Sequence, residues 1–121
     1  MSVALQFEQS NRVVIRVSGE LQVDEFARVS DQLVASLDQV LPTEILILLE
    51  QFEGWEHSDG WEGQLFSDSF DQHVRRIAIV GDPRWQEQAL LFTGQGLRPV
   101  EIEFFPAVDE YKARHWLSQG V

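Results

Sequence analysis

The sequence predicts one α/β domain spanning residues 1–121, built on a mixed, mainly parallel five-stranded sheet with four helices in the order β-β-α-β-α-β-α-β-α. Three observations predict it. The runs Ile45–Leu49 and Ile77–Val80 are apolar on both faces, as a central strand covered on two sides must be. Stretches of helical period separate the strand-like runs, the alternation that gives crossovers and a parallel sheet. At 121 residues the chain has room for one core and not two.

Val13–Ser18 is β-branched and roughly alternating, Val3–Phe7 is a weaker strand pattern, and Ser10-Asn11-Arg12 between them reads as a turn, so the two are expected to pair as an antiparallel hairpin ended by Gly19. From Asp24 to Leu41 the apolar residues Phe26, Val29, Leu33, Leu37 and Val40 recur at helical spacing. Asp24 suits the start of that helix, and Pro42 forbids its continuation. After the Glu44–Glu50 strand, residues 51–59 read as a loop rich in acidic and aromatic side chains. A second helix is expected from about Gly60 to Val74, with Trp61, Leu65, Phe66 and Phe70 on one face. Arg76–Gly81 is the next buried strand. Asp82-Pro83 follows as a cap and first-turn proline for a helix through Phe92. Val100–Phe104 alternates as an edge strand. Pro106–Gln119 closes the chain as a helix carrying Val108, Tyr111, Trp116 and Leu117.

Nine basic residues against twenty acidic ones give a net charge of −11. That field repels phosphates and anionic headgroups, so no nucleic acid and no stable membrane insertion are expected, and a cationic protein surface suits the sign. There is no cysteine, which removes disulfides, thiolate catalysis and thiolate metal sites. The first eight residues have neither a basic stretch nor a long apolar one, and a cytoplasmic location is the expectation.

Four segments carry a resemblance. Val17-Ser18-Gly19-Glu20-Leu21, Glu50-Gln51-Phe52-Glu53-Gly54-Trp55, Arg76–Asp82 followed by Trp85, and Ala113-Arg114-His115-Trp116-Leu117 resemble the SpoIIAA-like proteins of the STAS superfamily in order and spacing along nearly the whole chain. The resemblance implies a STAS-type sheet with packed helices, related in structure to the CRAL-TRIO lipid-binding domains. It implies little about activity. Anti-sigma-factor antagonists of that superfamily carry an Asp-Ser-Ser/Thr-Gly phosphorylation motif, where this chain reads His57-Ser58-Asp59-Gly60. The motif is not kept, and Asp59 would repel a phosphate on Ser58, so no phosphoswitch is carried over to Ser58.

In parallel sheets the loops after the strand C-termini line the ligand crevice. Glu50 and Trp55 follow one central strand, and Asp82 and Trp85 follow its expected neighbour. Two indole rings with two carboxylates at one rim form a candidate site for a ligand or partner. The same residues also read as a helix cap (Asp82) and a roof over the core (the tryptophans). His57, His73 and His115 stand on different elements at no metal-ligand spacing, and no metal or other cofactor is expected. His57-Ser58-Asp59 holds the residue types of a hydrolase triad, but adjacent side chains point apart and no nucleophile elbow surrounds the serine. Thr93-Gly94-Gln95-Gly96 has no third glycine and no preceding strand, so it is no dinucleotide fingerprint.

The expectation is therefore a non-catalytic regulatory or interaction module with a protein partner. The alternative is a binding protein for a small apolar ligand such as a lipid, in keeping with eight phenylalanines, four tryptophans and one tyrosine. Trp55, Trp61, Phe66 and Phe92 exceed what a small core readily hides, which adds a homodimer to the expectations.

Overall fold

A computed structural model describes residues 2–8, 12–37, 43–55, 74–93 and 100–119. Five strands form one sheet in sequence order: β1 (Ser2–Glu8), β2 (Arg12–Leu21), β3 (Thr43–Trp55), β4 (Val74–Gly81) and β5 (Glu101–Pro106). β1 runs antiparallel to β2, and the other three pairings are parallel. The described helices are α1 (Val23–Leu37), α2 (Gln86–Thr93) and α3 (Glu110–Ser118), with single 3-10 turns at Pro83–Trp85 and Ala107–Asp109. The class is the predicted one. The helix expected between residues 60 and 74 lies outside the described residues, apart from Val74, which instead opens β4.

Strand alternation divides the core into two layers. On one face Val13, Ile15, Val17, Ile45, Ile77, Ile79 and Ile102 meet Phe26 of α1 and Ala89 of α2. On the other face Val14, Leu46, Leu48, Ala78 and Val80 meet Ala113 and Leu117 of α3. Ile45, Leu46 and Ile77 are wholly buried, and each such aliphatic side chain contributes about 2 kcal/mol by leaving water. The double-sided burial explains why these strands read as uninterrupted apolar runs.

A row of charges crosses the sheet where the parallel strands begin. The register places Glu8 beside Arg12, Arg12 beside Glu44, Glu44 beside Arg76 and Arg76 beside Glu101. Arg12 Nε donates to Glu44 Oε1 at 3.1 Å, and Arg76 Nε to Glu101 Oε1 at 3.0 Å. Both guanidinium groups also hold the end of α3. Arg12 donates to the Arg114 carbonyl and to Ser118 Oγ, and Arg76 donates to the Trp116 carbonyl while lying 4.5 Å from the Trp116 ring centroid. Arg114 reaches back to Glu8 at 3.3 Å. Cations at a helix C-terminus satisfy its orphan carbonyls and oppose its dipole, so the row acts as a clasp for α3.

Three boundaries differ from expectation. Gly19 does not end β2; it takes φ 71° within a bulge, and the strand continues to Leu21. β3 runs to Trp55, six residues past the apolar run, because two bulges interrupt the alternation by which the eye follows a strand. β5 extends to Pro106, where the missing N–H ends the ladder.

Gly81 ends β4 under tight contact. A Cβ there would lie 2.9 Å from Leu49 Cβ and 3.2 Å from its Cδ1. Gly81→Ala is therefore expected to cost about 1–3 kcal/mol through overpacking against the Leu49 Cβ, which is fixed to the backbone and cannot swing away. Urea unfolding checks it: the midpoint falls and the m-value stays constant.

Candidate functional site

β3 and β2 project beyond the end of β4. The β3–β4 ladder stops at Leu48–Val80, whereas β3 stays paired with β2 as far as Trp55. Along that projection Ser18 faces Glu50, Gly19 faces Phe52 and Glu20 faces Gly54, so Gln51 and Glu53 are the extra residues of two successive bulges. Gln51 has φ 52°, the left-handed region that a residue with a Cβ enters at a cost of about 1 kcal/mol or more. The bulges reset the side-chain parity: Leu49, Phe52 and Trp55 all pack on the same core, three residues apart rather than two. Gly54, at φ 112°, leaves room for the Trp85 ring, which a Cβ would meet at 3.4 Å.

The result is an aromatic cluster at the C-terminal edge of the sheet. Phe52 and Trp55 lie edge to face at 4.8 Å between ring centroids, Phe52 and Trp85 at 5.2 Å, and Trp55 and Trp85 at 6.1 Å. Such pairs add about 1 kcal/mol each beyond their buried area. Arg84 lies 5.0 Å from the Trp85 ring centroid. Asp82 Oδ1 accepts from the Arg84 backbone N–H at 3.0 Å and caps the Pro83–Trp85 turn, as its sequence position implies.

Beside this cluster opens a cleft of about 480 Å³. β3 supplies one wall through Leu49, Gln51 and Phe52. The turn from Asp82 to Trp85 supplies the floor, and Pro106 at the end of β5 with Ala107 and Val108 of the 3-10 turn after it supply the far wall. Val108 is 83 % exposed at the lip. The described lining holds one carboxylate, one guanidinium and one amide amid apolar side chains, with no histidine, serine or lysine. Such a set offers mainly apolar contact area with a few polar groups.

Of the four residues that the sequence places at this rim, Asp82 and Trp85 line the cleft, and Trp55 joins them through the aromatic cluster. Glu50 does not line it. Its side chain pairs with Arg16 at 2.7 Å, both half-exposed or nearly so, on the β2 side of β3. Strand parity puts Glu50 with Leu46 and Leu48, on the sheet face opposite the Phe52–Trp85 cluster. Gln51, Arg84 and Val108 are cleft residues that sequence reasoning missed. The only local signal was the polar, acidic interruption after Leu49, which conceals a bulged strand. Ser58, His57, Trp61 and Phe66 lie outside the described residues, as does His73. His115 sits exposed on α3 beside Gln119. Among the described residues no cluster of three histidine, aspartate or glutamate side chains is placed to hold a metal ion, and no helix is long and apolar enough to cross a membrane.

The fold matches solved structures over almost its full length. An uncharacterised protein with a SpoIIAA-like fold from Shewanella loihica PV-4 superposes with a TM-score of 0.72 at 22 % identity, covering 96 % of this chain and 93 % of that one. The anti-sigma factor antagonist SpoIIAA in its unphosphorylated form superposes with a TM-score of 0.64 at 15 % identity, covering 95 % and 98 %. At these identities the likeness shows the fold alone. No match was found among curated proteins. The sequence profile of one family matches residues 12–118, which span every described strand except β1, and this chain belongs to the SpoIIAA-like family.

Proposed function

We propose that this chain is a non-catalytic, cytoplasmic interaction module that binds a protein partner at the cleft above β3, β4 and β5. The observation that carries the reading is the cleft itself: it stands at the carboxyl ends of parallel strands, where ligands of such sheets bind, and its lip presents Val108 to solvent. The lining gives it area and a few orienting polar groups without a catalytic set. The likeness to an anti-sigma factor antagonist supports a regulatory role of the same kind. A second copy of the chain is one partner that would fit, as a homodimer.

The second reading, a small apolar ligand such as a lipid, draws on the same apolar lining, Leu49, Phe52, Pro83 and Trp85. Two measurements separate them. A photo-crosslinking residue placed at Val108 is expected to give a discrete protein adduct in native cells, and the same residue at exposed Arg28 on α1 is expected to give none. Equal labelling from both positions, or none from either, overturns the module reading. Native mass spectrometry of the freshly purified chain is expected to show the bare mass, and a retained small molecule would favour the second reading.

A further inference from the structure

The two edges of the sheet are not alike. β5 carries the exposed carboxylates Glu101 and Glu103 and ends at Pro106, and charges and proline are guards against edge-to-edge pairing. β1 has no such guard between Ser2 and Phe7. It pairs with β2 along its whole length without a register shift, so its outer side is a regular, uncharged edge. The first charge after it, Glu8, is bound by Arg114 at 3.3 Å.

One hydrogen bond shows which amides of β1 face outward. Val3 N–H donates to Glu25 Oε2 of α1 at 3.2 Å, so it is turned away from β2. Residues of an antiparallel strand alternate between bonding toward a neighbour and away from it. Leu5 and Phe7 therefore present their N–H and C=O groups outward together with Val3. Among the described residues, Glu25 is the only side chain bonded to an outward amide of β1. Its hold is incomplete, because Glu25 Oε1 is buried with no hydrogen-bond partner, an arrangement that costs free energy for as long as it lasts.

Symmetry and charge select the occupant. When an antiparallel copy is related by a two-fold axis at Leu5, Leu5 meets Leu5 and Val3 meets Phe7, so every outward N–H finds a C=O. Val3 and Leu5 are partly buried on the α1 face, whereas Ala4 and Gln6 are exposed on the other. On that face Ala4 meets Gln6, neutral against neutral. A chain that carries −11 approaches its own copy most easily where charge is locally absent, and Ser2–Phe7 supplies that place at a sheet edge.

We infer that β1 is a dimer interface, pairing antiparallel with β1 of a second copy of this chain about a two-fold axis at Leu5. The two sheets become one, and Glu25 is the side chain that must release Val3 for this to happen. The surface is separate from the cleft above β3, β4 and β5 and leaves it open to another protein. The crosslink from position 108 and the outcomes below are therefore independent.

Sedimentation velocity on the full-length chain is expected to show a reversible dimer as concentration rises. Hydrogen exchange at the Leu5 and Phe7 amides is expected to slow at least tenfold across the same range. Added salt is expected to tighten the dimer, because it screens repulsion between two acidic copies. Glu25→Ala, with circular dichroism unchanged, is expected to tighten it at least tenfold. Paired substitutions at the exposed positions 4 and 6 read the register. Ala4→Lys with Gln6→Lys lowers the net repulsion yet sets cation against cation across the axis, and it is expected to weaken the dimer at least tenfold. Ala4→Glu with Gln6→Lys sets opposite charges across the axis and is expected to associate at least as tightly as the unaltered chain. An unaltered chain that stays monomeric at millimolar concentration overturns the inference. So does a dimer that weakens with salt, one indifferent to the charges at positions 4 and 6, or one that protects Asp82–Trp85 in place of Leu5 and Phe7.

Discussion

Glu44→Ala is expected to destabilise the fold by about 3 kcal/mol, one of the two largest effects of any single substitution considered. Glu44 is the one charged side chain among the described residues that is buried, at 2 % exposure. Its partner Arg12 is itself largely covered, 14 % exposed at the side chain. Removing one member of a covered ion pair leaves the other charge desolvated without compensation, and such truncations typically cost about 3–5 kcal/mol. The lower end applies because Arg12 keeps its bonds to the Arg114 carbonyl and Ser118 Oγ. For a chain of this length the melting temperature should fall by roughly 10–15 °C. The exposed pair Arg16–Glu50 supplies the contrast. At 2.7 Å it is the shorter contact, yet its side chains are 40 % and 52 % exposed, and pairs of that kind contribute about 0–1 kcal/mol. Glu50→Ala should therefore move the melting temperature little. Similar losses from the two variants would show that Glu44 is not held as its burial implies. Because Arg12 and Arg76 both bind carbonyls of α3, hydrogen exchange in Glu110–Ser118 should rise in Glu44→Ala before it rises in β3 or β4.

The charge row shows what the sequence made legible and what it hid. Apolar runs covered on both faces identify β3 and β4 without ambiguity, and helical spacing identifies α1, because each pattern records a whole face of burial. Arg12, Glu44, Arg76 and Glu101 each stand at or near the start of a strand, in alternating sign. That is readable as a pattern, but the pairing depends on register, which no single strand contains. The cleft was legible by half. The topological rule points to the edge of the sheet where the cleft lies, and Asp82 and Trp85 line that cleft. Glu50 was assigned to the rim by its place at the end of the apolar run, although a period of two already puts it with Leu46 and Leu48, away from Trp85. Phe52 and Trp55 would stand on opposite faces under strict alternation, and only the bulge residue Glu53 between them brings them together. Neither Gln51 nor Glu53 is a glycine, so nothing in the residue types announces a left-handed backbone at position 51.

Trp85→Ala is expected to cost about 2–3 kcal/mol and to reshape the floor of the cleft. Trp85 packs against Phe52 and Trp55 and covers the backbone of Gly54, so truncation opens a void on three sides. Fully buried aromatic-to-alanine changes cost about 3–5 kcal/mol, and the partial exposure of this indole lowers the figure. The variant should remain folded, with a melting temperature lower by roughly 7–12 °C. Its tryptophan fluorescence should show Trp55 in a more polar environment, since that ring loses a neighbour. Trp85→Phe separates packing from recognition. It keeps an aromatic ring against Phe52 and should recover at least half of the lost stability, while removing the indole surface that faces Arg84 and the cleft. If Trp85 serves only as a roof over the core, binding of the partner crosslinked from position 108 should return with stability in Trp85→Phe. If the indole is also a recognition surface, stability returns and binding stays weakened, and the two quantities part company in this one variant.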